Sequence, residues 1–186
     1  INNMGEVGCL KDGNFQNLQV EGIKSISGNL RYKRNIISGL ANTRTFTAEE
    51  SGSIILLDDN TLDGNFTLPP AEAGLEYYFV CSGTMAGATI ACAGASDAVD
   101  VFFGTIKVVS TTDNNLSSDE NIVMTDATGA PTNHKKITLT GDAATSGGIA
   151  GDVLRIVAIT DDAWLATGVL GTTNANPGTL DIIGVA

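Results

Sequence analysis

Apolar residues alternate with polar ones in a series of short runs from about residue 44 onward. Clusters rich in Gly, Asp, Asn and Pro separate these runs at intervals of about 8–12 residues, a spacing typical of sandwiches and barrels. The pattern predicts an all-β fold, an antiparallel β-sandwich or barrel of the jelly-roll kind. The predicted strands cover 44–47, 53–58, 64–68, 75–82, 87–92, 101–109, 121–125, 135–140, 152–159 and 163–169.

Local signals add detail to this prediction. Pro69 and Pro70 should end the strand before them, because proline cannot donate to a β-ladder. TAEE at 47–50 fits a capping box and predicts one helical turn between strands. The two alternating runs within 151–169 predict a hairpin that turns at Asp161 and Asp162. Trp164, the sole tryptophan, is expected to anchor the core, with Nε1–H donating to a carbonyl.

The first part of the chain has a different pattern. LQVEG and IKSISGN place Leu18, Val20, Ile23 and Ile26 in two short alternating segments, which are too small to bury a core alone. Copies around a threefold axis or a neighbouring protein can supply the missing surface. We therefore expect a short trimeric stalk or attachment arm over 1–43, including a basic linking stretch from 31, and a β-sandwich head over 44–186.

Charge is distributed unevenly along the 186 residues. The chain has a net charge of −11, yet residues 1–47 hold six bases against three acids. An acidic body argues against a duplex nucleic-acid binder. The basic front end is either a docking site for an acidic partner or chance scatter. The candidate docking residues are Lys24, Arg31, Lys33, Arg34 and Arg44. No apolar run is long enough for a transmembrane helix, which favours a soluble protein without membrane contact.

Residues for catalysis or metal binding are sparse. His134 is the only histidine, and no G-x-S-x-G string accompanies it. Clustered Asp and Asn at 58–63 and 113–120 can bind Ca²⁺, but such residues are also common in turns. Cys9, Cys81 and Cys92 leave one thiol over; Cys81 and Cys92 either pair or, as we favour, stay free and buried. We expect no enzyme activity, no cofactor and no metal.

Several short motifs resemble a recurrent β-module of tailed-phage virion proteins, the group of capsid decoration proteins, head fibres and tail-fibre knobs. They are FTAEESG at 46–52, TLPPAEAGLEYYFV at 67–80, GD at 151–152 and DDAWLATG at 161–168. NLQVEGIKSISGN at 17–29 is similar to repeats of trimeric phage fibres. Asp161-Asp162-Ala163 departs from the usual "asp-gly-thr", and 82–135 follow no pattern of the group.

The resemblance implies a homotrimeric virion component, assembled in the host cytoplasm and attached by its N-terminal arm. One reading is a capsid decoration, or cement, protein on the outer surface of the head, with the major capsid protein as partner. The alternative is the knob of a head or tail fibre that recognises a host-surface glycan or protein. The short arm favours decoration, since a fibre normally needs a long stalk. Aromatic anchors are also rare in the predicted loops.

Overall fold

The computed structural model describes residues 34–58, 63–93, 101–110, 120–124, 135–141 and 147–173, with 110 and 120–124 described by their backbone alone. These ranges belong to a compact unit that begins at Arg34. The predicted boundary between arm and head, at residue 43, thus falls inside this unit. The stalk residues Leu18, Val20, Ile23 and Ile26 lie outside the described residues.

Eleven strands and one short 3₁₀ turn make up the regular structure of these ranges, which contain no α-helix. The strands are β1 (Ile36–Ile37), β2 (Thr43–Thr45), β3 (Ile54–Leu57), β4 (Asn65–Thr67), β5 (Glu76–Cys81), β6 (Ala86–Ala91), β7 (Val101–Ser110), β8 (Glu120–Met124), β9 (Lys136–Thr140), β10 (Val153–Thr160) and β11 (Ala163–Thr172). Each of the ten predicted strands overlaps an observed one. β1 was not predicted, because 31–43 was interpreted as a link.

The strands form two mixed sheets. The large sheet has the order β1-β3-β5-β10-β11-β7-β8, and the small sheet has the order β2-β4-β6-β9. Five of the nine pairings are parallel: β1 with β3, β3 with β5, β2 with β4, β4 with β6, and β7 with β11. The prediction of an antiparallel, jelly-roll-like sandwich was therefore wrong in topology, although the all-β class is confirmed.

Parallel pairing follows from how the chain runs between β1 and β6. Each connection leads from one sheet to the other, so odd-numbered strands join the large sheet and even-numbered strands join the small one. The chain returns to each sheet in the same direction, and each new strand lies parallel to its predecessor. The pattern changes after β6, where β10 and β11 form the predicted hairpin at Asp161 and Asp162.

Buried side chains from both sheets meet in one hydrophobic cluster. Phe46, which follows β2, shows the arrangement: its ring lies 6.1 Å from the ring of Phe66 in the small sheet. The same ring lies 6.0 Å from Tyr77 and 5.7 Å from Phe79, both in the large sheet. Alternation along each strand places every second residue in this core, which explains why the apolar pattern located the strands.

The predicted helical turn between β2 and β3 is confirmed as a 3₁₀ turn over Ala48–Glu50. The backbone N–H of Thr47 donates to Oε2 of Glu50 at 3.0 Å, and the N–H of Glu50 donates to the carbonyl of Thr47 at 3.1 Å. The hydroxyl of Tyr77 in β5 donates to that carbonyl as well, at 2.6 Å. The turn is thereby fastened to the large sheet.

Trp164 is fully buried in β11, at the position that the sequence analysis assigned to a core anchor. Its Nε1–H finds no acceptor among the described residues, so the expected bond to a carbonyl is absent from this part of the chain. Cys81 and Cys92 are both free and buried, as favoured. They lie on β5 and directly after β6, in different sheets. Burial raises the pKa of the Cys81 thiol to about 12, and the charge of Asp152 adds to this effect.

Candidate docking surface

The outer face of the large sheet is the side that points away from the core, and it is unusually apolar. Four of its side chains are well exposed: Ile36 by 60%, Val169 by 59%, Ile159 by 48% and Val153 by 42%. Seven larger apolar side chains on this face are half-buried. They are Ile54, Leu56, Val80, Phe103, Val109, Val157 and Leu165.

Strand register places several of these residues side by side. Leu56 on β3 pairs with Val80 on β5, Val80 pairs with Val153 on β10, and Val153 pairs with Val169 on β11. We call these four residues the apolar row. Neighbouring strands lie about 4.8 Å apart, so the row is a continuous band across four strands. A contiguous apolar patch on a protein surface usually marks an interaction site.

A charged cluster lies beside the apolar row, two residues further along the strands. The hydroxyl of Tyr78 donates to Oε1 of Glu76 at 2.6 Å, and Nε of Arg155 donates to the same oxygen at 2.6 Å. The guanidinium of Arg34 lies 4.1 Å from the centre of the Tyr78 ring and that of Arg155 lies 5.8 Å from it. We call Arg34, Glu76, Tyr78 and Arg155 the basic corner, because two bases share one acid.

The contacts within the basic corner also change the pKa values of Glu76 and Arg155. Burial alone would raise the pKa of Glu76, but the hydrogen bonds from Tyr78 and Arg155 and the charges of Arg155 and Arg34 together lower it. The same hydrogen bond from Arg155 to Glu76 raises the pKa of Arg155. Both groups thus keep their charges at neutral pH, and the corner itself contains two bases and one acid.

Two of the predicted docking residues lie in the described ranges, and both are engaged within the chain. Arg34 stacks on Tyr78 and contacts its hydroxyl at 3.4 Å. Arg44 forms an ion pair with Glu50, and its guanidinium lies 5.3 Å from the centre of the Phe46 ring. Lys24, Arg31 and Lys33 are outside the described residues. The structure therefore does not bring the five together, and Arg44 lies on the small sheet instead.

Sequence reasoning missed the partners of Arg34. Glu76 and Tyr78 are outward positions of β5, and Arg155 is an outward position of β10. The available signal was the run VLRIVAI, in which Arg155 is the only charged residue. Such a nearly continuous apolar run is unusual for a strand with one solvated face. Its proximity to Tyr78 depends on the antiparallel register between β10 and β5, which alternation alone does not reveal.

The outer face of the small sheet is different in kind. It presents mainly hydroxyl groups, and its register pairs Thr43 with Asn65, Asn65 with Thr89, and Thr89 with Thr138. Thr89 donates through Oγ1 to Oδ1 of Asn65 at 2.8 Å. Threonine is favourable on a pleated surface in contact with water. The two outer faces therefore differ. The face of the small sheet is polar, as on a solvated surface, and the face of the large sheet is apolar, as on a surface buried in an interface.

Asp152 is the most deeply placed acid of the described residues, and it has a structural role. Its Oδ2 accepts three backbone N–H bonds, from Gly148 at 2.9 Å, Ile149 at 2.9 Å and Gly171 at 2.7 Å. Burial raises the pKa of Asp152, although the three bonds counter this effect. The carboxylate ties the loop before β10 to β11, so it has no lone pair exposed for catalysis on that oxygen.

The described ranges contain no group of three or more His, Cys, Asp or Glu side chains that could hold a metal ion. His134 and the Asp/Asn cluster at 113–119 fall outside these ranges, as do Asp59 and Asn60. The described part of the chain also has no helix of the length and hydrophobicity needed to cross a membrane.

By fold and surface, the described unit is a mixed two-sheet β-protein whose large sheet has an apolar outer face with a basic edge. Comparison with family models, with curated proteins and with solved structures found no match to this chain. The resemblance to phage virion modules thus rests on the short motifs alone.

Proposed function

We propose that this chain is a capsid decoration protein of a tailed phage, which binds the outer surface of the head as a trimer and reinforces the contacts between capsomers. Its partners are two further copies of itself and the major capsid protein. Its chemistry is adhesion, so it needs neither a catalytic group nor a cofactor.

The anchoring of the basic stretch RYKR at the basic corner is the observation that carries this proposal. Arg34 is the last residue of that stretch, and its stacking on Tyr78 fixes the end of the stretch to the surface of the head domain. A basic segment on a chain of net charge −11 favours an acidic partner surface.

A trimer that attaches through three arms can bind the capsid firmly even if the contact of each arm is weak. If each subunit contributes one basic segment, the second and third segments bind at the high effective concentration set by the first. A trimer whose segments contact different capsomers then opposes their separation, although each single contact is modest.

The test is binding to purified capsids that lack the protein, measured by co-sedimentation. Neutralising two bases in the variant Arg31→Gln/Lys33→Gln should weaken binding at least about tenfold, equivalent to about 1.4 kcal/mol, and the loss should shrink as salt is added. Lys136→Glu makes the same change in net charge on the small sheet and should bind normally. Equal occupancy by both variants would refute the docking role of the basic segment.

A further inference from the structure

We propose that the outer face of the large sheet is the subunit contact of this protein, covered by a second copy of the same chain in a head-to-tail, closed ring. The inference deepens the proposed function and rests on its trimeric state, because it assigns the contact between subunits to a particular face. The apolar row and the charge of the face carry it.

The composition of the face is that of a covered surface. Sheets that are buried on both sides have apolar residues at successive positions, whereas sheets with one solvated face alternate. β10 illustrates the first case: three of its four alternating outward residues, Val153, Val157 and Ile159, are as apolar as the inward residues of the strand, and the fourth is Arg155. The small sheet of the same molecule illustrates the second case, with Thr138 and Thr140 facing outward on β9.

The size of the face suits a specific contact. Outward side chains occupy 17 positions on five neighbouring strands. Each position covers about 4.8 Å across the strands and about 6.6 Å along them, so the footprint is roughly 540 Å². Together with its counterpart on the partner it reaches the roughly 1,000 Å² at which specific interfaces begin.

Charge identifies the partner and its orientation. Among the described strands, and including Arg34 stacked on Tyr78, the face carries three bases and one acid: Arg34, Lys107, Arg155 and Glu76. The chain as a whole carries −11, so the remainder carries −13. Two such faces pressed together would bring like charges into contact. Contact with a different part of the neighbouring copy, drawn from this acidic remainder, avoids the repulsion, and such an unlike pairing gives a ring when its rotation closes.

Thiol labelling of the full-length protein tests this contact without capsids. In a Cys9→Ser background, where Cys81 and Cys92 are buried, Val169→Cys places a thiol in the apolar row and Thr138→Cys places one on the small sheet. We expect the oligomer to protect the thiol at 169, so that maleimide labels it at least about tenfold more slowly than the thiol at 138. Dilution to the monomer should abolish the difference.

Two results would overturn the inference: equal labelling at both positions in the oligomer, or a protein that stays monomeric at high concentration by light scattering. Cysteine at these positions is a mild change, and circular dichroism checks that both variants are folded. Capsid binding is not measured here, so failure of this test is distinguishable from failure of the docking test, in which Arg31 and Lys33 are changed.

Discussion

Trp164 occupies the centre of the core at the cost of one unsatisfied polar group. Its ring lies 5.9 Å from that of Tyr77, and its side chain is fully buried. The indole N–H has no acceptor among the described residues, and a buried donor without a partner costs about 1–3 kcal/mol. The ring therefore stabilises the fold through its volume, and its nitrogen works against that gain.

This balance predicts different outcomes for two substitutions at Trp164. Trp164→Ala should lower the free energy of unfolding by about 3–5 kcal/mol, because it leaves a large cavity. Trp164→Phe should cost no more than about 1 kcal/mol, because it removes the unsatisfied donor and keeps most of the ring. Urea unfolding followed by far-ultraviolet circular dichroism measures both. Equal losses would show that Nε1 has an acceptor.

Asp152 presents the opposite case, a buried polar group with many partners. Asp152→Ala would leave the N–H groups of Gly148, Ile149 and Gly171 without their acceptor, and we expect a loss of at least about 3 kcal/mol. Its raised pKa means that folding makes this carboxyl group harder to ionise. The stability that comes from its neutral form is present below the ordinary pKa of 3.8 and is lost as pH rises through the folded pKa.

A neutral isostere should therefore be tolerated at this position. We expect Asp152→Asn to cost only about 1 kcal/mol at neutral pH, since its amide oxygen can still accept from the same donors. Comparing the melting of the Asn and Ala variants separates the role of the acceptor from that of the charge. An Asn variant as unstable as the Ala variant would contradict this account.

At the scale of elements, the pairing of β7 with β11 depends on one glycine. Gly104 adopts a φ of +128°, and a Cβ at this position would lie 2.2 Å from the carbonyl oxygen of Ala166. The two strands pair in parallel over ten residues, from Ala163 with Val101 to Thr172 with Ser110. A side chain at 104 would have to separate them.

Gly104→Ala should accordingly destabilise the protein by about 3 kcal/mol, through both backbone strain and the clash. Gly74→Ala is the matched control, because Gly74 also has a positive φ, of +101°, but has open space around it. We expect the control to lose only about 1 kcal/mol from backbone strain. Similar losses in thermal unfolding would show that the clash is relieved by local movement.

The strands themselves could be predicted, whereas their partners could not. The run EYYFVC alternates clearly, and β5 lies where its pattern places it. However, alternation is the same for parallel and antiparallel strands. The connection between β5 and β6 covers only 82–85, a length typical of hairpins, yet it joins strands in different sheets. A short loop between two apolar runs therefore does not show that the two strands pair with each other.

At the scale of the whole molecule, the basic corner should influence acid stability, because it joins β5, β10 and the segment before β1. The lowered pKa of Glu76 contributes stability that is present above the ordinary value of 4.5 and is lost as pH falls through the folded value. Glu76→Gln removes this contribution. We therefore expect the wild type to lose more stability than the variant between about pH 5.5 and pH 3.

Chemical unfolding of both proteins at a series of pH values measures this difference. Glu72→Gln provides a control, since Glu72 is exposed and should follow the wild-type profile. Parallel profiles for the wild type and Glu76→Gln would mean that the ion pair with Arg155 contributes nothing to folding.

The candidate surface was only partly predictable for a similar reason. The basic stretch containing Arg34 was visible as a run of letters, but its partners Tyr78 and Arg155 come from strands 44 and 121 positions later in the chain. The charge counts showed that bases outnumber acids in residues 1–47 and that acids outnumber bases in the rest of the chain. The apolar row became visible only when the register placed Val80, Val153 and Val169 on one face.

The winding of β1 to β6 between two sheets has a consequence for how such a protein can change in size. Pairing partners in successive windings are 18 positions apart from Ile36 to Ile54, 24 from Ile54 to Tyr78, 22 from Thr43 to Asn65 and 24 from Asn65 to Thr89. Each winding touches only the ones before and after it. A duplicated segment of about two dozen residues would thus add one strand to each sheet and leave the β10–β11 hairpin in place. The fold can therefore grow by one winding at a time.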